Sequence, residues 1–142
     1  MFLLLMAKIL CIDPDPSVSD WIKRTLSRGA IEASVIAVAT GKEGFDHLIT
    51  SDFDLCVLEY CLPDLTGAQF CTLMRQSGCS VPMVFFTALN RPVDRERALT
   101  AKANAFLAKP EDLELFIPTF KRLMPWPPAK PALIEMEIAQ AA

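Results

Sequence analysis

Apolar residues recur along this chain in two rhythms. Short unbroken runs occupy residues 8–12, 33–39, 55–59, 82–87 and 105–108. They are mostly apolar, in part β-branched, and suit strands covered on both faces. Between them the spacing widens to three or four. Val18, Ile22 and Leu26 share one face of a helix that Asp15 or Ser17 can cap and Gly29 can stop. Thr40 and Glu43 resemble a capping box opening a helix that carries Phe45, Leu48 and Ile49. After a turn over 63–67, Phe70, Leu73 and Met74 mark a third helix closed by Gly78. Asn90 with Pro92 starts a polar helix to about residue 102, and the last helix, about 112–124, contains Pro118, which should kink or split it.

Strands that alternate with helices predict a three-layer α/β domain around a doubly wound parallel sheet, because parallel neighbours need crossover connections. The pattern ends near residue 124. Beyond it PWPPAKP favours an extended linker, followed by a tail, ALIEMEIAQAA, so the division is a domain over 1–124 and a Pro-rich linker and tail over 125–142.

Composition narrows the function classes. The chain has 142 residues, 52% of them hydrophobic, enough for one domain with a proper core. A net charge of -3 with scattered Lys and Arg disfavours nucleic acid and anionic membrane as partners. Cys11, Cys56, Cys61, Cys71 and Cys79 form no CxxC pair and have one histidine, His47, for company. They read as thiols of a reducing cytoplasm rather than zinc ligands. The N-terminal MFLLLM is too short to span a bilayer and lacks the basic start of a signal peptide.

In a doubly wound sheet the working groups gather outside the carboxyl ends of the strands. Asp13, Glu59, Thr87 and Lys109 each stand at such an end, so four polar residues far apart in sequence should converge on one crevice. Glu59 is notable because it closes an apolar run, DLCVLEYCLPD, where an unpaired buried charge costs several kcal/mol. The loop DPDP is acidic, unlike a phosphate-binding glycine loop, and no GxGxxG, GxxxxGK[ST] or GxSxG occurs. Nucleotide enzymes and Ser-His-Asp hydrolases are thereby disfavoured.

CIDPDP, VLEYCLPDLTG, FFTA and ANAFLAKP together resemble the receiver domain of bacterial response regulators, in order and spacing over roughly residues 7–124. The resemblance implies the flavodoxin-like five-stranded receiver fold and a non-enzymatic role in a two-component phosphorelay. It implies an acidic pair and a strand-end aspartate that bind Mg²⁺, the aspartate taking a phosphoryl group from a histidine kinase. It also implies that Thr87 is the switch hydroxyl, Phe106 the switch aromatic, Lys109 the phosphate-binding lysine, and Pro110 the proline after it in a cis bond.

Two positions depart from that pattern. Pro14 replaces the second acid, so Asp13 and Glu59 are left as a weak or absent Mg²⁺ site. Glu59 replaces the phosphoacceptor aspartate, and its extra methylene displaces the nucleophile by roughly an ångström, which costs on the order of a hundredfold. The same methylene carries a fixed charge toward Lys109 and Thr87, a partial imitation of a phosphoryl group. The expectation is a phosphorylation-independent cytoplasmic module that binds a histidine kinase or an effector through its fourth helix, fourth strand and fifth helix. Arg91, Asp94, Arg95 and Arg97 are expected to be exposed there. The alternative is a phosphoacceptor with reduced Mg²⁺ chemistry. Plainer readings also stand: Glu59–Lys109 as a structural ion pair, Phe106 as core filling, Asp15 as a helix cap, His47 as a boundary residue, and Trp126 as either a partner contact or self-packing.

Overall fold

The computed structural model describes residues 6–124. The expected linker and tail over 125–142, with Trp126, and the apolar start over 1–5 lie outside them. Chain order is β1 Ala7–Ile12, α1 Pro16–Arg28, β2 Ala33–Val38, α2 Gly41–Thr50, β3 Leu55–Leu58, α3 Gly67–Gln76, β4 Met83–Thr87, α4 Pro92–Thr100, β5 Ala105–Ala108, a 3-10 turn Leu113–Leu115 and α5 Phe116–Leu123. All strand pairs are parallel, in the order β2-β1-β3-β4-β5. This is the flavodoxin-like fold.

Period-two alternation divides the strands between two cores. Ile9, Cys11, Val57 and Phe86 face Val18, Ile22, Leu26, Phe116 and Phe120 of α1 and α5. Leu10, Ile12, Cys56, Leu58, Phe85 and Phe106 face Phe70, Met74 and Ala98 of α3 and α4. Trp21 fills the first core with its ring 5.3 Å from Phe86 and 5.0 Å from Phe116. Burial pushes the Cys11 thiol up to about 12 and Cys56 in the same direction, so these two are packing residues.

Some helix expectations hold and others change. Asp15 caps α1 by accepting from the Ser17 N–H at 2.9 Å and the Ser17 hydroxyl at 2.7 Å. The helix ends at Arg28 with Gly29 as its C-cap, as expected, and the left-handed residue after it is Ala30, with φ 57°. The helix α4 begins after Arg91, not at Asn90, whose amide oxygen instead accepts from Arg95. Pro118 lies in the first turn of α5, where its missing N–H is harmless, and its ring opposes continuity with the preceding 3-10 turn.

Ile49 is 56% exposed and Leu73 51% exposed, contrary to expectation. Each is off its helix's contact line. The line of α2 runs through Gly41 and Gly44, and a Cβ on Gly44 would collide with the Ile12 Cδ1 atom. The line of α3 runs through Phe70, Cys71 and Met74, which turns Leu73 toward an open groove beside α4.

Two surface expectations also fail. Asp94 is fully buried because Arg91 grips it with two bonds, Nε to Oδ2 at 2.8 Å and Nη2 to Oδ1 at 2.9 Å. The strand β4 cannot form a contact face, since all five of its residues are buried and it lies between β3 and β5. The edge strand on that side is β5.

Candidate functional site

Sheet register brings the predicted residues to one level. Ile12 pairs with Leu58, and Thr87 with Ala108, so Asp13, Glu59, Thr87 and Lys109 leave adjacent strand ends together. Glu59 is just past β3, its N–H still donating to the Ile12 carbonyl at 2.9 Å.

The Glu59 carboxylate is engaged at both oxygens. Oε1 accepts from the Tyr60 N–H at 2.7 Å, the Cys61 N–H at 3.2 Å and the Thr87 hydroxyl at 2.5 Å. Oε2 accepts from Lys109 Nζ at 3.3 Å. The two backbone donors come from the turn that Gly67 makes possible. The Gly67 N–H donates to the Tyr60 carbonyl, and a Cβ there would lie 2.6 Å from the Glu59 carbonyl oxygen and 2.5 Å from the Phe85 ring.

Lys109 serves both carboxylates, since its Nζ is also 3.3 Å from Asp13 Oδ2. The ammonium lies 5.0 Å above the Phe86 ring, a further favourable contact. Asp13 is 9% exposed, and its Oδ1 accepts the Asp15 N–H at 2.8 Å. Burial holds the Asp13 carboxyl above its usual range, with the neighbouring Glu59 charge adding to the effect, while the Asp15 N–H and Lys109 oppose it. The Lys109–Pro110 bond is cis.

Thr87 is wholly buried, and while its hydroxyl donates to Glu59, its oxygen accepts the Leu89 N–H at 3.2 Å. This ties the loop after β4 to the carboxylate. Phe106 is two residues before Ala108, 9% exposed, stacked on Phe85 at 6.0 Å with Arg95 over its ring at 4.8 Å. It belongs to the core. His47 is half-buried beside Phe53 and plays no part here.

The donor set does not suit Mg²⁺. That ion wants near-octahedral oxygen ligands, and here two carboxylates are already shared among N–H, O–H and ammonium donors while Pro14 supplies no side-chain oxygen. Asp15, two residues after Asp13, is committed to the α1 cap. No group of three or more His, Cys, Asp or Glu among the described residues is arranged to hold a metal.

Residues 9–120 match the family model of the response regulator receiver domain. The chain belongs to that family. It is 30% identical over 117 residues to "Response regulator MprA" of Mycolicibacterium vanbaalenii, covering 82% of this chain and 50% of that protein. It is 28% identical over 103 residues to the transcriptional regulatory protein YrkP of Bacillus subtilis, covering 72% of this chain and 43% of that one. The chain thus spans about half the length of the curated relatives it matches. Among solved structures it resembles a two-component response regulator from Clostridium difficile, with TM-score 0.74, 26% identity and coverage of 83% and 95%. It also resembles the chemotaxis protein CheY4 of Vibrio cholerae, with TM-score 0.72, 25% identity and coverage of 84% and 99%. Among the described residues no helix is long and apolar enough to cross a membrane.

The site residues that sequence reasoning missed are backbone donors and distant straps. The Tyr60 and Cys61 N–H groups leave no trace in side-chain pattern. Asp64, inside the LPD segment, caps α2 by accepting from the Gly41 and Lys42 N–H groups at 2.9 Å each, which fixes the loop that carries them. Its carboxyl is held low by those bonds, that from Gly41 foremost.

Proposed function

We propose that this receiver domain signals without being phosphorylated, Glu59 holding the switch that a phosphoryl group holds elsewhere. The observation that carries this reading is the engagement of Glu59 by Thr87 and Lys109 together. Those are the two side chains that the receiver pattern reserves for the phosphoryl group. A carboxylate with four donors already on it is also a poor nucleophile, because attack requires giving those bonds up.

The energetic scale is adequate. One partly buried, charge-assisted hydrogen bond contributes about 1.5 to 3 kcal/mol, which biases a two-state element roughly tenfold to a hundredfold. The imitation is partial, since one carboxylate has one charge and two oxygens where a phosphoryl group has nearly two and three. The output is then protein binding rather than catalysis, in the cytoplasm, to a histidine kinase or a downstream effector. The contact side we assign is that bounded by α4, the edge strand β5 and α5.

NMR relaxation dispersion on Glu59→Gln and Glu59→Ala tests the reading without a partner. Loss of the charge should produce exchange between two states at residues 88–91 and at Phe106, with the fold retained. If both variants show a lower melting temperature but no exchange in that loop, Glu59 is a structural ion-pair residue and the reading fails.

A further inference from the structure

Arg95, in the first half of α4, reaches three groups from separate parts of the chain. Its Nε donates to Asn90 Oδ1 at 2.9 Å in the loop after β4. Its Nη2 donates to Asp112 Oδ2 at 3.0 Å beyond β5. Its guanidinium carbon lies 4.8 Å above the Phe106 ring, which also stacks on Phe85 at 6.0 Å. The ring thus contacts both an aromatic and a cation.

Each anchor is itself fixed. Asp112 accepts the Ala108 N–H at 2.8 Å through the same oxygen that takes Arg95. That backbone bond, followed by Arg95, keeps its carboxyl below the usual range and so charged at neutral pH. Asn90 follows Leu89, whose N–H donates to Thr87, whose hydroxyl donates to Glu59. A continuous run of contacts thus joins the Glu59 carboxylate to the Phe106 ring through Arg95.

We infer that Arg95 is a positioning residue for the switch: a clasp across the loops after β4 and β5 that holds Phe106 buried and couples it to Glu59. The inference rests on the reading of Glu59 given above. The planar guanidinium suits the task because it can bond in two directions within its plane while its face covers an aromatic ring. A lysine has one point charge and cannot do all three at once. Without Arg95, Phe106 keeps its stack on Phe85 but loses the guanidinium over its ring, and Asn90 is no longer tied to β5.

Fluorine NMR of the full chain labelled with 4-fluorophenylalanine tests this, the Phe106 line being assigned with Phe106→Leu. The native chain should give one Phe106 line. In Arg95→Ala a second line or exchange broadening should appear, with Arg95→Lys restoring less than half of the loss in the native line. Phe116 and Phe120, in the opposite core, should not move. An unchanged Phe106 line in Arg95→Ala, or equal disturbance at Phe116 and Phe120, overturns the clasp. Glu59→Gln separates the two readings: if it leaves Phe106 single while Arg95→Ala releases it, Arg95 still holds Phe106, but its coupling to Glu59 is overturned together with the Glu59 reading. Release by Glu59→Gln and not by Arg95→Ala overturns the clasp and leaves the Glu59 reading standing.

Discussion

Lys109 Nζ lies 3.3 Å from Glu59 Oε2, with side chains only 24% and 13% exposed. The same ammonium lies 3.3 Å from Asp13 Oδ2, so one cation is shared by two carboxylates. Replacing Lys109 with Met removes the shared cation and leaves like charges facing each other. The variant should lose about 1 to 3 kcal/mol in urea unfolding at neutral pH, less than a fully buried pair because water still reaches the site. The loss should shrink in acid, where Asp13 protonates. An equal loss at every pH contradicts this.

Gly67 sets the turn that aims two N–H groups at Glu59. Its Cβ position is 2.6 Å from the Glu59 carbonyl and 2.5 Å from the Phe85 ring. Gly67→Ala should therefore destabilise by about 1 to 3 kcal/mol and shift the Tyr60 and Cys61 amide signals. A variant as stable as the native chain, with those signals unmoved, shows that the turn has slack the structure does not suggest.

Asp13 gives a pH dependence of defined sign. Its carboxyl titrates above the ordinary value of 3.8 in the folded chain, chiefly through burial. The folded state therefore holds that proton more tightly than the unfolded state, and the group costs stability progressively as pH rises from 3.8 through the folded value. Measured against Asp13→Asn, which lacks the titration, the native chain should lose ground over that window. Gain over the same window refutes the assignment.

The metal chemistry should be recoverable. Pro14→Asp with Glu59→Asp supplies a second acid and a shorter acceptor, and retracts the carboxylate from Thr87 and Lys109. Calorimetry should find tighter Mg²⁺ binding in the double variant than in the native chain, and acetyl phosphate should add a phosphoryl group to residue 59. If neither occurs, the crevice departs from the receiver pattern by more than these two positions.

The sheet and the four strand-end residues were legible because each depends on a local signal. An apolar run that stops at a polar residue marks a strand end, and parallel register brings such ends together. Glu59 facing Lys109 follows from that alone. What fills the rest of the Glu59 shell did not, since the Tyr60 and Cys61 N–H groups are backbone, and every residue but proline carries one. Arg91 is exposed as expected, but Asp94 is buried, because sequence pattern cannot tell a carboxylate turned onto a neighbouring arginine from a solvated one. Leu73 and Ile49 were misread for a geometric reason: helical spacing marks an apolar stripe, while the line of contact depends on how closely Gly44 lets α2 approach. Arg95 and Asp112 are 17 apart in sequence, and their pairing depends on α4 packing beside the loop after β5.

The central claim is that Glu59 already occupies the switch and does not accept a phosphoryl group. Intact mass spectrometry of the native chain after incubation with Mg²⁺ and acetyl phosphate tests it most directly. The mass should be unchanged under conditions that fully modify an ordinary receiver domain. A stoichiometric gain of one phosphoryl group, mapped to Glu59, contradicts it.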